Sequence, residues 1–182
     1  MLSALLQRRP DAGSRVTADN APDFLARQAE LAQALSGKPE LKVHVGLNHV
    51  EDDPLSLRND ILIFRSSEGE PEQALRHLRG QVDLAALAHK YHDTQTHHHQ
   101  RPRDATAADI FDALEKIRLE ALGVEIFPGL KANLAARHAV AFQLQGYDRN
   151  LLRDAPPLPD VLAMLAREAH RQCPDLGISR RC

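Results

Sequence analysis

The sequence predicts a mostly α-helical fold of the α+β class, in which a helical bundle-like domain carries a small two-stranded β element near its N-terminus. Long segments repeat apolar residues at helical spacing, and the strand-like runs are two short ones, near 41–45 and 60–64. Helix-stop and turn residues divide the rest into segments of helix length. A chain of 182 residues with 43% hydrophobic content can bury one such core without disulfides.

The first part of the chain carries the β element. A first helix is predicted from Asn20 to Leu35, because Asn20 and Asp23 supply a polar cap and Gly37 follows as a stop. The runs at 41–45 and 60–64 alternate or are rich in β-branched residues. We expect them to pair antiparallel across the turn-rich stretch between them.

The rest of the chain is predicted to be helical. From Pro71 to about residue 98 the pattern indicates one helix or two, with Gly80 as the possible break. Another helix is expected from Thr106, with Asp109 as its capping partner, to Gly123. Further helices are predicted over residues 130–142 and 160–171. We expect one helical domain over residues 20–172, preceded by a flexible segment, 1–19, and followed by a flexible tail, 173–182.

Composition narrows the classes of function. A net charge of -2, a 4% aromatic content and the absence of Trp argue against nucleic acid or an anionic membrane as the main partner. Apolar runs are too short for a membrane span, and two cysteines near the end fit a reduced, cytoplasmic compartment. The sequence contains no phosphate-binding glycine loop, Gly-x-Ser-x-Gly or His-Glu-x-x-His motif, so an independent enzyme is the least expected class.

Five of the ten histidines fall between residues 89 and 99, directly after an apolar helical segment. On a helical wheel, His89, Asp93 and His97 recur every four residues on the polar face. Imidazole and carboxylate groups one turn apart suit a transition metal such as cobalt or zinc, so these residues are candidate ligands. A solvated helix face is the alternative interpretation, and we expect His98 and His99 to belong to a fraying helix end.

His92 lies at the edge of the apolar face, roughly 140° from His97 on a straight helix. These two imidazoles can share a metal only if the helix unwinds between them. His92 is therefore either a further candidate metal ligand or a half-buried histidine with a satisfied ring nitrogen. A short helical stretch further on, over residues 130–142, carries Asn133 in its first turn, where a local capping role is expected.

The predicted helix 106–123 carries a second candidate constellation. Arg118 falls within the apolar stripe of this helix, and a charge on a core face needs a partner because an unpaired buried charge is costly. Glu115 lies one turn earlier and is the nearest local candidate. We interpret Glu115, Arg118 and Glu120 either as an ion pair that fixes helix packing or as an anion clamp for a carboxylate-bearing ligand.

An ordered series of motifs carries a family resemblance. The series is ALSGKPEL at 34–41, QVDLAAL at 81–87, HDxxxH at 92–97, FDALExxRxEAxG at 111–123 and GLxxNL at 129–134. It resembles the N-terminal region of the T subunit of the aerobic, ATP-dependent cobaltochelatase of cobalamin biosynthesis, from about residue 22 to residue 172. The resemblance includes His92, Asp93 and His97 but not His89, His98 or His99.

The resemblance implies a non-catalytic coupling or assembly subunit of a complex that inserts cobalt into hydrogenobyrinic acid a,c-diamide. In that complex a large subunit carries the tetrapyrrole, an AAA+ subunit hydrolyses ATP, and the T subunit couples the two. ATP is therefore expected only through a partner. The family usually continues through an acidic linker into a von Willebrand A-type domain with an Asp-x-Ser-x-Ser metal site. Neither feature occurs in the 182 residues, which fits an N-terminal domain alone or a stand-alone relative.

Two alternative functions come from the residues themselves. One is an independent metal-binding module that uses the histidine and aspartate face of the helix. The other is a purely structural helical domain for protein interaction, in which His92, Asp93 and Arg118 serve the fold alone.

Overall fold

The computed structural model describes residues 21–46, 53–64, 71–147 and 156–172. In chain order the described elements are α1 (Ala21–Ser36), β1 (Lys42–Val45), a 3₁₀ turn (Pro54–Ser56), β2 (Asp60–Ile63), α2 (Pro71–Tyr91), α3 (Thr94–Gln100), α4 (Ala105–Ile126), α5 (Leu130–Leu144) and α6 (Leu158–Gln172). The predicted mostly helical fold with a small β element is confirmed. The expected Asn20 cap, the segment 1–19 and the tail 173–182 lie outside the described residues.

Helix α2 lies at the centre of the fold because it is apolar on two faces. Its Leu78 and Val82 pack with α1 and both strands in one buried cluster. Its Leu84, which is fully buried, belongs to a second cluster with Leu119 of α4 and Leu134 of α5. A helix that is apolar on more than one face is stable only when neighbours cover each face. Across the described residues, the helices lack the combination of length and apolarity that crossing a bilayer requires.

The two strands pair in parallel, so the expected antiparallel pairing is wrong. The register places Lys42 opposite Asp60 and Val45 opposite Ile63. Parallel strands need a long crossover, and the connection here carries the 3₁₀ turn, whose Leu55 is buried in the second cluster. Because Leu55 packs in this second cluster, the connection is not a tight hairpin turn.

Two helical glycines mark close contacts between helices rather than breaks. A Cβ atom on Gly80 would lie 2.3 Å from the backbone oxygen of Asn133 on α5. A Cβ atom on Gly123 would lie 2.4 Å from a methyl carbon of Leu87 on α2. Helix α2 runs through Gly80 without interruption, so the possible break at this residue does not occur.

The start and end of α4 also differ from expectation. Its N-cap is Asp104, whose Oδ1 accepts a hydrogen bond from the backbone N–H of Ala107 at 2.9 Å, so the cap expected at Thr106 is wrong. The helix continues past Gly123 to Ile126. The packing of Gly123 against Leu87 explains why a glycine inside the helix does not end it.

Candidate functional site

The long histidine-bearing helix ends earlier than expected, at Tyr91, and a new short helix, α3, begins at Thr94. Asp93 is the N-cap of α3. Its Oδ1 accepts hydrogen bonds from the backbone N–H groups of Gln95 and Thr96, both at 3.0 Å, and its Oδ2 accepts one from Thr96 Oγ1 at 2.8 Å. These bonds, led by the backbone N–H of Thr96, lower the pKa of Asp93. The expected continuous row of His89, Asp93 and His97 is therefore wrong, because the helix breaks within it.

His89 of α2 contacts the backbone next to the sheet. Its Nε2 lies 3.0 Å from the backbone oxygen of Arg58, next to β2. About two turns earlier on α2, the side-chain amide of Gln81 forms hydrogen bonds with both the N–H and the carbonyl of Phe64, each at 3.0 Å. Helix α2 thus supplies hydrogen-bond partners to the backbone on either side of β2, and His89 lies apart from the other candidate metal ligands.

The break turns two histidines towards α4. His92 Nδ1 lies 2.8 Å from Glu115 Oε1, and His97 Nε2 lies 2.9 Å from Asp112 Oδ1. The two imidazole rings meet edge to face, with centroids 4.8 Å apart. The side chain of His92 is 1% exposed and that of His97 is 12% exposed. We refer to His92, His97, Asp112 and Glu115 as the histidine-pair site.

An arginine completes each histidine–carboxylate pair. Arg118 donates from Nε to Glu115 Oε2 at 2.7 Å and from Nη2 to Glu115 Oε1 at 2.8 Å. The same Nη2 donates to the carbonyl of Tyr91, the last residue of α2, at 3.0 Å. Arg101 forms the matching bidentate pair with Asp112. Arg118 therefore joins α4 to the end of α2, through an ion pair with the partner that its position in the sequence suggests.

The pKa values of both carboxyl groups reflect these contacts. Burial alone would raise the pKa of Glu115, but the hydrogen bonds from Arg118 and His92 outweigh it and lower the pKa. The hydrogen bond from Arg101 lowers the pKa of Asp112. Both groups are ionised at neutral pH, so they accept hydrogen bonds and the histidine nitrogens that face them carry the hydrogen.

The described residues contain no group of three or more histidine, cysteine, aspartate or glutamate side chains placed to hold a metal ion. Asp93 is directed to the backbone of α3 and His89 to that of Arg58. Of the four candidate ligands predicted from the sequence, the structure brings together His92 and His97.

Glu120 is separate from the Glu115–Arg118 pair and forms the centre of its own cluster. Its carboxylate, 8% exposed, accepts hydrogen bonds from His138 Nε2 at 2.8 Å, Arg167 Nε at 3.0 Å and Arg137 Nη1 at 3.4 Å. Burial opposes ionisation, but these donors lower the pKa of Glu120 to about 2. Burial lowers the pKa of His138, which donates to the ionised carboxylate as a neutral ring. This Glu120 cluster joins α4 to α5 and α6.

The Glu120 cluster lines a concave surface between the helices that it joins. This α4–α6 groove lies between α4, α5 and α6 and has a volume of about 1370 Å³. Small and apolar side chains alternate with charged ones along it, and Leu165 on its rim is 60% exposed. A groove of this size with an exposed apolar rim can bind another molecule.

Sequence reasoning did not identify Asp83 as a candidate. It is fully buried in α2, and its Oδ2 accepts a hydrogen bond from Asn133 Nδ2 of α5 at 2.8 Å. Its Oδ1 has no hydrogen-bond partner among the described residues. Burial raises the pKa of Asp83 to about 6. Asn133 therefore bonds another helix and is not the local cap expected. An aspartate within the otherwise apolar run 82–88 was the signal available in the sequence.

The fold and its sites define a helical domain in which ionised side chains join neighbouring helices around a central helix, next to an open groove. Comparison with protein families matches residues 19–174 to the family described as Cobalamin biosynthesis protein CobT. The match covers most of the 182 residues, and the chain belongs to this family. Membership assigns it to cobalamin biosynthesis, as a subunit of the multi-subunit cobaltochelatase. Comparison with curated proteins and with solved structures gives no match.

Proposed function

We propose that this chain is a non-catalytic coupling and assembly module of cobaltochelatase. In this proposal it binds the AAA+ ATPase subunit and connects it to the large tetrapyrrole-binding subunit during cobalt insertion in the cytoplasm. ATP acts through the ATPase subunit, and cobalt is the cargo of the complex. Family membership supports the role in cobalamin biosynthesis. The observation that carries the proposal is the α4–α6 groove with its exposed apolar rim.

The groove has the properties of a docking surface for a protein. Leu165 lines the groove and is 60% exposed, and Leu158, at the start of the same helix α6, is 54% exposed. Exposed leucines beside a concave surface are the kind of apolar contact that a partner helix or loop buries on binding. Because the Glu120 cluster ties α6 to α4 and α5, the surface is formed before the partner arrives, which lowers the entropic cost of association.

The buried carboxyl groups of α2 and α4 are poorly suited to act as general bases. A general base works best with a pKa near the operating pH and with access to its substrate. The pKa values of Asp112, Glu115 and Glu120 are all lowered by contacts within the chain. Asp83 has a raised pKa, but it is fully buried between α2 and α5 and does not reach the groove.

Association with the ATPase subunit tests the proposal. We expect the purified chain to bind the AAA+ subunit in a calorimetric titration and in co-purification. Leu165→Glu should weaken the affinity at least tenfold, because it places a charge on the apolar rim. Leu31→Glu is the matched control: Leu31 lies on α1 and is 44% exposed, so its replacement should leave the affinity unchanged. A folded chain that binds neither the ATPase nor the large subunit would contradict the proposal.

A further inference from the structure

The break between α2 and α3 brings His92 and His97 into direct contact. On a continuous helix these side chains point in directions roughly 140° apart. In the structure their ring centroids are 4.8 Å apart, at an interplanar angle of 66°. Phe111 of α4 also packs against His97, with a ring-centroid distance of 4.7 Å. Side chains of α4 thus hold both imidazoles, Phe111 by packing on His97 and Glu115 by its contact with His92.

Each ring also has one nitrogen held by a carboxylate of α4. The ionised carboxylate of Glu115 accepts the hydrogen of His92 Nδ1, and that of Asp112 accepts the hydrogen of His97 Nε2. In a neutral imidazole the second nitrogen then carries a lone pair. The described residues give no hydrogen-bond partner to His92 Nε2 or to His97 Nδ1. A carboxylate that holds one nitrogen of an imidazole is the usual support of a histidine whose other nitrogen binds a metal.

The distance between the rings fits a shared metal ion. With metal–nitrogen bonds of about 2.0–2.1 Å and a near-tetrahedral angle, two imidazole centroids lie roughly 5 Å apart. The observed separation is 4.8 Å. We propose that His92 Nε2 and His97 Nδ1 are two ligands of a divalent transition-metal site, of the Co²⁺ or Zn²⁺ class that imidazole favours. The described residues supply no third ligand, so water or a partner subunit completes the coordination.

The proposed site differs from the helical row that the sequence suggested, and it goes beyond the coupling role proposed above. Asp93 is not part of the proposed site, because its carboxylate caps α3. His89 is not part of the proposed site, because its ring lies at the backbone of Arg58 rather than near His92 and His97. His98 and His99 are exposed and lie outside the site, although adjacent surface histidines bind metal adventitiously.

The experiment uses the full chain with His98→Gln and His99→Gln as the background, titrated with Co²⁺ by visible absorption and with Zn²⁺ by calorimetry. We expect one metal ion per chain. Adding His97→Gln should lower the affinity at least tenfold, and Asp112→Asn should lower it about 10–100-fold by releasing the ring of His97. Asp93→Asn is the matched control, because asparagine caps a helix as well as aspartate and its replacement leaves both rings untouched.

Two further measurements separate loss of metal binding from loss of the fold and identify the ligand atoms. Circular dichroism should show that each variant stays folded, and ring-nitrogen NMR should show shifts at His92 Nε2 and His97 Nδ1 on addition of Zn²⁺. Loss of all binding with His98→Gln and His99→Gln alone would reveal an adventitious ion only and would overturn the proposal. Unchanged affinity in His97→Gln would overturn it as well.

Discussion

His92 and Glu115 are 23 residues apart in the chain, yet His92 Nδ1 lies 2.8 Å from Glu115 Oε1. The side chain of His92 is 1% exposed and that of Glu115 is 12% exposed, so the contact is shielded from water. Glu115 also pairs with Arg118, which reaches the last carbonyl of α2. A single carboxylate on α4 therefore holds both the end of α2 and the histidine that follows it.

Replacing this carboxylate should destabilise the fold. Glu115→Gln removes the charge that faces His92 and Arg118, and we expect the free energy of unfolding to fall by about 1–3 kcal/mol at pH 7. Because the folded state lowers the pKa of Glu115, its contribution is present above the ordinary carboxyl pKa and declines as the pH falls below it. Urea denaturation at several pH values measures both effects. Glu125→Gln, at an exposed position of the same helix, should cost little.

The packing of α2 against α5 depends on Gly80. Alanine favours helices more than glycine by about 1 kcal/mol, so a solvent-exposed site would gain stability. At Gly80 the added Cβ would lie 2.3 Å from a backbone oxygen, so we expect Gly80→Ala to lower the unfolding free energy by about 1–3 kcal/mol. Gly129→Ala is the control, since nothing lies within 4 Å of a Cβ there. Thermal denaturation should separate the two variants, and a neutral Gly80→Ala would refute the close contact.

Asp83 should give the fold an unusual dependence on pH. Its folded pKa of about 6 is above the ordinary value of 3.8, so the folded state binds the proton more tightly. This contribution is fully present below the unfolded pKa and is lost as the pH rises through about 6. We expect Asp83→Asn, compared with the parent chain, to be about 1–3 kcal/mol more stable at pH 7 and to lose that advantage by pH 4. Guanidinium titrations at the two pH values provide the measurement. A difference between the chains that does not vary with pH would count against this account.

The Glu120 cluster should control the attachment of α6. Glu120→Gln leaves the cationic groups of Arg137 and Arg167 beside a neutral amide, and we expect a loss of about 3 kcal/mol. The loss should appear as faster hydrogen exchange of backbone amides in α6, while α1, on the other side of the domain, serves as the internal reference. Equal protection of α6 in parent and variant would show that the apolar contacts of α6 suffice to hold it. The pKa of about 2 predicts that the parent chain keeps the attachment until strongly acidic pH.

The helical content, the order of the elements and the family follow from the sequence. Apolar spacing and helix-stop residues are local properties, so they locate α1, α4 and α5 to within a few residues. The ordered motifs predict the family that comparison confirms over residues 19–174. The local relation between Glu115 and Arg118, three positions apart on a helix, is also visible in the sequence.

Tertiary structure decided which side chains meet. Asp93 could have continued a helical row, but its carboxylate caps α3, and the resulting break directs His92 and His97 to α4. The contact between Asp83 and Asn133 joins residues 50 positions apart, and the strands pair in parallel while Leu55 of their connection is buried in the second cluster. Local periodicity fixes the face on which a side chain lies, whereas its partner depends on how whole helices pack around α2, because packing joins residues that no short-range pattern relates.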